Sequence, residues 1–322
     1  MKTLSRLMLW ALLALVPLAP AWAQSWPAKP IRLIVPYPPG GQTDIVSRWL
    51  GEQLAPVLGQ PIIIENRAGA QGIVGLRAGK EAAGDGYTFI YANVSNLVIN
   101  RFAYEKLPYD PVNDFEMVTQ LGLAVLGMAV PSSLGLKTVD DFVKYARNNP
   151  GKTTFASFGE GSSSHLYGEM LKHAAKLDMV HVPYKGAGPA VQDIVAGNAT
   201  MGIHDFAATG PFLQSGRLVV LAVTGPKRWP LQPDVKTFSE QGYPLDLAGW
   251  NGIIAPKGTP AAVVDRMSRE INKIIQTPQG RERMLQMGLL VTGTTPAEFK
   301  KLIEDDTPRW GEVFKRSGIK AQ

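Results

Sequence analysis

Glycine and hydroxyl side chains follow a short apolar run near the start of the chain, in the segment VPYPPGGQTD. The run Ile31–Val35 predicts a buried strand. The turn after it contains Tyr37, Pro38, Gly40, Gly41, Gln42 and Thr43. The glycines allow close approach of the backbone, and we expect Thr43 to cap a helix whose free amides bind an anion. The alternative is a plain strand-to-helix turn. The segment matches neither the P-loop nor the GxGxxG pattern.

A second segment of this kind, SFGEGSSSHL, follows the predicted strand Thr153–Ala156 and opens a predicted helix. Its candidate ligand-binding residues are Ser157, Gly161, Ser162, Ser163 and Ser164. Serine hydroxyls and the amides of a helix N-terminus can together hold a carboxylate without a lysine or arginine nearby. The alternative is ordinary capping of the helix by Ser162 or Ser163.

The third segment, HVPYKGAGPAVQDIVAGNATMGIHD, places His204 and Asp205 at the end of the predicted strand Met201–Ile203. We expect His204 to donate a hydrogen bond to a second group of the ligand. Asp205 is expected to organise its loop, because it would repel a carboxylate ligand. In the alternative interpretation, Lys185 is solvated and Asp205 only caps a turn.

The sequence does not favour catalysis or metal binding. No GxSxG segment occurs, and a serine next to His165 in sequence does not make a catalytic triad. The four histidines show no HExxH-like spacing, and we expect His173 and His181 to be structural or exposed. The chain has no cysteine, which excludes disulfides, thiolate metal sites and cysteine nucleophiles. We therefore predict no enzyme activity, no cofactor and no metal.

Short β-rich runs alternate with helical patterns along most of the chain, in the order β-α-β-α-β near the start. This predicts a two-lobed α/β fold like that of type II periplasmic binding proteins, with two parallel-rich sheets flanked by helices and a two-segment hinge. The predicted lobes are 24–122 with 248–322, and 123–247. Crossing segments near 116–125 and 245–252 would form the hinge, and the cleft between lobes would hold a small ligand.

The N-terminus has the pattern of a cleaved export signal. Lys2 and Arg6 precede an apolar stretch, and Ala21-Trp22-Ala23 fits the cleavage rule, so residues 1–23 are predicted to be a signal peptide. A membrane anchor is the alternative, but the stretch is short and contains Pro17. We expect a periplasmic protein without a membrane anchor. The net charge of +6 comes from scattered residues, so nucleic acid is not an expected partner.

Taken together, the three segments resemble the Bug or TctC-type extracytoplasmic solute receptors of tripartite tricarboxylate transporters. Further matching segments are IIENRAGAQGIVG, GDGYTFIYAN, KLPYDPVNDF, LAVTGPKRWP and GWNGIIAPKGTPAAVV. The resemblance covers nearly the whole chain after the predicted signal peptide, in the family's order. It implies a receptor that closes on a carboxylate held between Pro38–Thr43 and Gly161–Ser164, and that presents the ligand to a permease with a large and a small subunit. Asn93, which ends one of the matching segments, is a further candidate ligand-binding residue.

Gln42 and His204 depart from the expected family pattern, which has a small residue and an apolar aromatic residue there. Both changes place larger polar groups near the cleft. A donor such as His204, with a planar wall such as Trp250 or Tyr37, would suit an aromatic dicarboxylate such as terephthalate, which is our favoured ligand. Citrate-like or C4 dicarboxylates are alternatives. The other function classes considered are a periplasmic sensor partner and a secreted hydrolase that uses a serine in 162–164.

Overall fold

A computed structural model describes residues 26–321. The predicted signal peptide, residues 1–23, lies outside this range. No helix within the described range combines the length and the apolar character that a membrane crossing requires. The chain folds into two sheets with helices packed on both.

The strands are short, and most follow the apolar runs of the sequence. Their bounds are β1 Ile31–Val35, β2 Ile62–Asn66, β3 Thr88–Asn93, β4 Phe115–Ala124, β5 Leu126–Pro131, β6 Thr153–Ser157, β7 Met179–Pro183, β8 Met201–Asp205, β9 Leu218–Val223, β10 Gly249–Pro256 and β11 Leu289–Val291.

The helices alternate with these strands over most of the chain. Their bounds are α1 Gln42–Leu58, α2 Ile73–Lys80, α3 Asn100–Ala103, α4 Val139–Asn148, α5 Ser163–Ala175, α6 Ala187–Ala196, α7 Phe206–Gln214, α8 Ala261–Gln276, α9 Pro278–Gln286 and α10 Pro296–Ser317. A π-helical turn, Ser95–Ile99, leads directly into α3.

The first sheet has six strands in the order β11-β4-β10-β3-β1-β2. Strands β2, β1 and β3 are parallel, as the β-α-β-α-β order predicts. Strand β10 pairs antiparallel with both β3 and β4, and β11 pairs antiparallel with β4. The sheet is therefore mixed rather than parallel-rich, because β4 leads out of this lobe and β10 leads back beside it.

The second sheet has five strands in the order β7-β6-β8-β5-β9. Strands β7, β6 and β8 are parallel, while β5 pairs antiparallel with both β8 and β9. The chain passes from the first sheet to the second at Val125, between β4 and β5, and returns between β9 and β10. Each sheet with its helices forms one lobe, so the predicted two-lobed α/β fold is confirmed.

The C-terminal helix α10 packs against both lobes. Its Phe299 lies edge-on to Trp250 of β10, with ring centroids 5.3 Å apart. Its Trp310 lies edge-on to Tyr167 of the second lobe at 5.8 Å. The Tyr167 hydroxyl also donates to the carbonyl of Leu247, at 2.5 Å, in the segment that leads back to the first lobe. These aromatic contacts place the two lobes beside one hydrophobic core.

Several elements differ from the sequence prediction for identifiable reasons. The sequence pattern predicts a helix over 44–54 that stops before Pro56. Helix α1 instead continues to Leu58, because Leu50, Leu54 and Leu58 extend one buried face past the proline. Helix α7, which contains Pro211, was not predicted from the sequence. Helix α9 and strand β11 were also missed. The sequence also predicts Thr138 as a helix cap, because its hydroxyl can accept an amide of the first turn, and Thr138 does cap α4.

Candidate functional site

A cavity lies between the two lobes. Its walls come from the β1–α1 loop, the end of β3, the β4–β5 crossing, the loops before α5 and α6, the end of β8 and the start of β10. The space that the centre of a water molecule can reach in it is about 70 Å³. That volume holds several waters or a small organic molecule, and it excludes a macromolecular ligand.

The structure brings many of the predicted site residues together in this cavity. The candidates that line it are Tyr37, Pro38, Gly41, Gln42, Thr43, Asn93, Ser163, Asp205 and Trp250. The candidates outside its wall are Gly40, Ser157, Gly161, Ser162, Ser164 and His204. The second group supports the wall from behind, as the hydrogen bonds described below explain.

The loop between β1 and α1 presents the start of a helix to the cavity. Gly40 adopts φ +89°, in the left-handed region that favours glycine. The Gly40 amide donates to Oδ2 of Asp44 at 3.1 Å, so this amide is already used. Gly41, not Thr43, is the N-cap of α1, which corrects our prediction for Thr43. Within residues 26–321 the amides of Gln42 and Thr43 donate no hydrogen bond and remain available to a ligand.

Asp44 holds this loop together rather than facing a ligand. Its carboxylate accepts hydrogen bonds from Gly40, Arg48 and Asn66. Burial alone would raise the pKa of Asp44, but these hydrogen bonds and the nearby Arg48 guanidinium hold the pKa below its usual value. A negative charge in the first turn also opposes the positive end of the helix dipole.

Gln42 joins the first helix to the returning end of the chain. Its Nε2 donates to the carbonyl of Met287 at 2.8 Å, and its Oε1 accepts from Nδ2 of Asn251 at 2.7 Å. Both ends of the side-chain amide are therefore paired inside the protein. Gln42 lines the cavity as predicted. Its side chain holds the wall together, and its backbone amide, in the first turn of α1, is the group that remains free.

The loop between β6 and α5 is organised by Ser162. The Ser162 hydroxyl accepts from the amide of His165 at 3.2 Å and donates to the carbonyl of Gly159 at 2.7 Å, so it caps α5 as the alternative interpretation proposed. Ser163 lines the cavity, and its amide donates to the hydroxyl of Ser95 in the other lobe at 3.3 Å. The Ser164 hydroxyl is buried outside the cavity wall, without a partner among the described atoms.

Two stacked imidazoles support this loop from behind. The rings of His165 and His181 lie 3.6 Å apart and nearly parallel, at 8°. His165 Nδ1 accepts from the amide of Gly161 at 3.0 Å, so the Gly161 amide is not free for a ligand, which corrects that prediction. His181 Nε2 pairs with the hydroxyl of Ser157 at 2.7 Å, which occupies Ser157. His181 is structural, one of the two possibilities we expected.

Glu160, His165 and His181 are close enough to suggest a metal site, since one ligand atom of each lies within 4.8 Å of the others. The geometry argues against it. The lone pairs of parallel imidazoles lie in separate planes 3.6 Å apart, so both rings cannot point at one ion without rotating. In addition, Nδ1 of His165 already accepts a hydrogen bond from Gly161.

His204 does not line the cavity, so its predicted role as a ligand donor lacks support. Its imidazole is fully buried behind Phe158, with ring centroids 6.1 Å apart, and it lies over Gly202 beside Ile194. Neither ring nitrogen has a partner among the described atoms. Burial lowers the pKa of His204 to about 4, which keeps the ring neutral near pH 7.

Asp205, the next residue, does line the cavity. Its Oδ1 accepts from the amide of Ala208 at 2.9 Å, which makes it the N-cap of α7. The predicted role as an organiser of its loop fits this contact. Burial raises the pKa of Asp205 to about 6.

Sequence reasoning missed a third helix end in the cavity wall. Gly186, Ala187 and Gly188, at the start of α6, line the cavity opposite Pro38 of the first lobe. The signal was present, because this segment repeats the order of strand, glycine turn and helix found at the other two loops. The missed wall residues also include Phe158 and Asn251.

The serine hydrolase alternative finds no geometry to support it. Among the described residues, the hydroxyls of Ser162, Ser163 and Ser164 make no hydrogen bond to an imidazole. The Ser–His pair that does exist joins Ser157 and His181, and Ser157 is fully buried outside the cavity wall. A nucleophile without access to a substrate cannot act.

Two α/β lobes that enclose a small cavity, with helix N-termini from both lobes in its wall, define the class of two-lobed solute-binding proteins. Residues 46–319 match the model of the tripartite tricarboxylate transporter family receptor, TctC. The chain belongs to this receptor family, as the sequence motifs predicted.

Known relatives cover nearly the whole chain. A Pseudomonas protein from the tcbD-tcbE intergenic region is 37% identical over 292 residues, which cover 90% of this chain and 87% of that protein. The protein BugT of Bordetella pertussis is 35% identical over 306 residues, which cover 94% of this chain and 93% of that protein.

Solved structures share the fold. The R. palustris protein Rpa4515, solved with adipate, has a TM-score of 0.90 and 31% identity and covers 92% of this chain and 100% of its own. MatC from Rhodopseudomonas palustris, solved with bound malate, has a TM-score of 0.83 and 29% identity and covers 90% of this chain and 100% of its own.

Proposed function

We propose that this protein is a periplasmic receptor that captures a small carboxylate and delivers it to the permease of a tripartite tricarboxylate transporter. The observation that carries the proposal is the cavity between the lobes, where unpaired helix amides meet in a wall without a lysine, arginine or histidine side chain. The periplasmic location rests on the predicted signal peptide. No catalytic step is part of the proposal.

Helix ends suit a carboxylate for an electrostatic reason. The first amides of a helix have no partner within the helix, and they carry the positive end of its dipole. The start of α1 belongs to one lobe, and the starts of α5 and α6 belong to the other. An anion bound to both sides would be neutralised by directed hydrogen bonds and would draw the lobes together.

The apolar part of the cavity indicates what the rest of the ligand is like. Val94, Leu126, Phe158 and Trp250 line it, so a hydrocarbon or aromatic body fits better than a densely hydroxylated one. The relatives solved with adipate and malate hold small dicarboxylates. The aromatic ring of terephthalate suits the Phe158 and Trp250 walls, but its second carboxylate would need a donor other than His204.

Ligand binding would act by shifting the equilibrium between open and closed lobes. The Val125 crossing and the return segment before β10 are the connections that can bend. A ligand that contacts both lobes stabilises the closed form by its differential affinity for that form. The permease would then recognise the closed receptor.

Isothermal calorimetry of the mature chain against mono-, di- and tricarboxylates tests the proposal. We expect ~1:1 binding with a dissociation constant near a micromolar, which corresponds to about 8 kcal/mol. Ser163→Ala, in the cavity wall, should weaken binding, while the exposed Ser215→Ala in the same lobe should not. Absence of binding to every carboxylate in the panel would contradict the proposal.

A further inference from the structure

One charged side chain lies in the wall of the cavity. Among the described residues that line it, Asp205 alone is acidic or basic. The rest of the wall is apolar side chains, neutral polar side chains and backbone. A receptor for anions that encloses a carboxylate of its own needs an explanation, because two buried negative charges repel each other strongly.

Capping of α7 accounts for one contact of the Asp205 carboxylate. Its Oδ1 accepts from the Ala208 amide at 2.9 Å. The backbone amides of Asp205 and Ala207 also contribute to holding the carboxylate. Among residues 26–321 no side chain donates to it, and Asp205 lines the cavity, so a donor on a ligand would approach this carboxylate.

Residues 26–321 offer no positive group in contact with this carboxylate. No lysine, arginine or histidine nitrogen of the described chain forms a salt bridge with Asp205. The adjacent His204 points behind Phe158 and is neutral near pH 7.

Two neutral polar side chains of the wall are already engaged elsewhere. Gln42 and Asn251 also line the cavity, and their side chains are already paired with each other. The other end of the Gln42 amide is taken by the Met287 carbonyl. Gly288 packs against both Gln42 and Phe206, which places this braced pair on the same side of the cavity as the start of α7.

The cavity is therefore polarised. The free amides at the starts of α1 and α6 favour a negative group, and Asp205 favours a positive group or a hydrogen-bond donor. A ligand with a carboxylate at both ends satisfies only the first condition.

We infer that Asp205 determines specificity, by selecting carboxylate ligands whose other end carries a hydrogen-bond donor, an ammonium or hydroxyl group, over matched dicarboxylates. This inference rests on the proposed function, because it assumes that a carboxylate occupies the helix ends. It assigns the donor end of the ligand to the carboxylate of Asp205. It also ranks terephthalate below an aromatic acid of the same length that ends in an amine.

The test uses acids matched in length that differ at one end. The pairs are succinate with 4-aminobutanoate, adipate with 6-aminohexanoate, and terephthalate with 4-(aminomethyl)benzoate, together with 4-hydroxybutanoate and 6-hydroxyhexanoate. Calorimetry is run above neutral pH, where Asp205 is ionised, since burial raises its pKa only to about 6. We expect the donor-bearing acid of at least one pair to bind about tenfold tighter or more.

Asp205→Asn is the decisive variant, because asparagine caps a helix about as well as aspartate and adds a donor. It should reduce the preference within the pair about tenfold, mainly by improving binding of the dicarboxylate. Asp178→Asn, at an exposed position in the same lobe, controls for the change in net charge and should leave the preference unchanged.

The outcomes separate this inference from the proposed function. If no acid binds the wild type, the proposed function fails. If acids bind but the wild type prefers the dicarboxylates, or Asp205→Asn leaves the preference unchanged, the role of Asp205 is overturned while carboxylate binding stands. Circular dichroism and thermal unfolding confirm that the variant is folded.

Discussion

The side-chain Nε2 of Gln71 lies 3.4 Å from the carbonyl oxygen of Phe158 and joins the two lobes at the mouth of the cavity. Gln71 belongs to the first lobe, and Phe158 begins the loop that carries Ser163. A side chain added at the next residue, Gly159, would place its Cβ 1.5 Å from the same nitrogen. A methyl group at position 159 would therefore displace the side-chain amide of Gln71 from Phe158.

Gly159→Ala should weaken ligand binding by opening this contact. The new methyl group displaces the Gln71 amide and removes its hydrogen bond to Phe158, so the closed form loses about 1 kcal/mol and binding weakens roughly fivefold. Calorimetry with the tightest ligand of the panel measures the effect. Gln71→Ala should give a similar loss, because it removes the same contact without changing position 159.

Gly197→Ala is the matched control for backbone strain. Gly197 also adopts a positive φ, in the same lobe, but a Cβ there meets no atom within 4 Å. Both glycine substitutions should lower the stability of the lobe, and only Gly159→Ala should lower the affinity. Equal affinities of the two variants would show that the Gln71 contact does not contribute to closure.

Two buried histidines, His165 and His204, and the half-buried His181 should make the fold sensitive to mild acid. Burial lowers the pKa of His165, His181 and His204 below the value of about 6.5 for an exposed histidine. Below pH 6.5 the unfolded chain takes up protons that the folded chain does not, so the free energy of unfolding falls as the pH falls. Each histidine contributes about 1 kcal/mol per pH unit until the folded-state pKa is reached.

Denaturant unfolding of the apo protein between pH 7.5 and 4.5 measures this slope. Asp205 acts in the opposite direction, because its raised pKa stabilises the fold as the pH falls below about 6. One such carboxyl does not cancel three histidines. His204→Phe should make the acid slope shallower, and a slope equal to that of the wild type would contradict the role of His204.

The sequence predicts the parts of the site that depend on local pattern. The bounds of β1 and the cap of α4 follow from apolar runs and from Thr138, which act within a few residues. The direction in which a side chain points is harder to predict from the sequence. The sequence predicts His204 as a ligand donor and Asp205 as an organiser of its loop. Neighbours on a strand point to opposite faces, and it is Asp205 that lines the cavity.

Hydrogen bonds that depend on tertiary packing are also not predictable from a single sequence. The amide of Gly161 looked available from its place before a helix, but His165 Nδ1 accepts its hydrogen bond. The partner of Gln42, the carbonyl of Met287, is 245 residues away in the chain. Such pairs depend on how distant segments pack, which no local spacing encodes.

Gln42→Leu should destabilise the first lobe. It leaves the Met287 carbonyl and the Asn251 amide without their buried partner, which costs about 2 kcal/mol or more. Thermal and denaturant unfolding measure the loss. Gln53→Leu, at an exposed position in the same helix, should change stability little. A Gln42→Leu protein as stable as the wild type would mean that this bridge does not hold the returning chain.

Ser162→Ala should impair both stability and binding, because one hydroxyl serves the helix and the cavity loop. It caps α5 through the His165 amide and holds the Gly159 carbonyl of the turn that precedes Ser163. Loss of the cap costs about 1 kcal/mol of stability. Loss of the turn contact frees the cavity wall, so ligand affinity should also fall, about threefold or more.

Thr138→Ala separates the two effects of that substitution. Thr138 caps α4 in the same lobe through the amide of Asp141, at 3.0 Å, and it does not line the cavity. Its loss should lower the stability by a similar amount and leave the affinity at the wild-type value. If Ser162→Ala and Thr138→Ala change affinity alike, the loss reflects general destabilisation. If Ser162→Ala alone weakens binding, the β6–α5 loop must be held in place for the ligand to be bound.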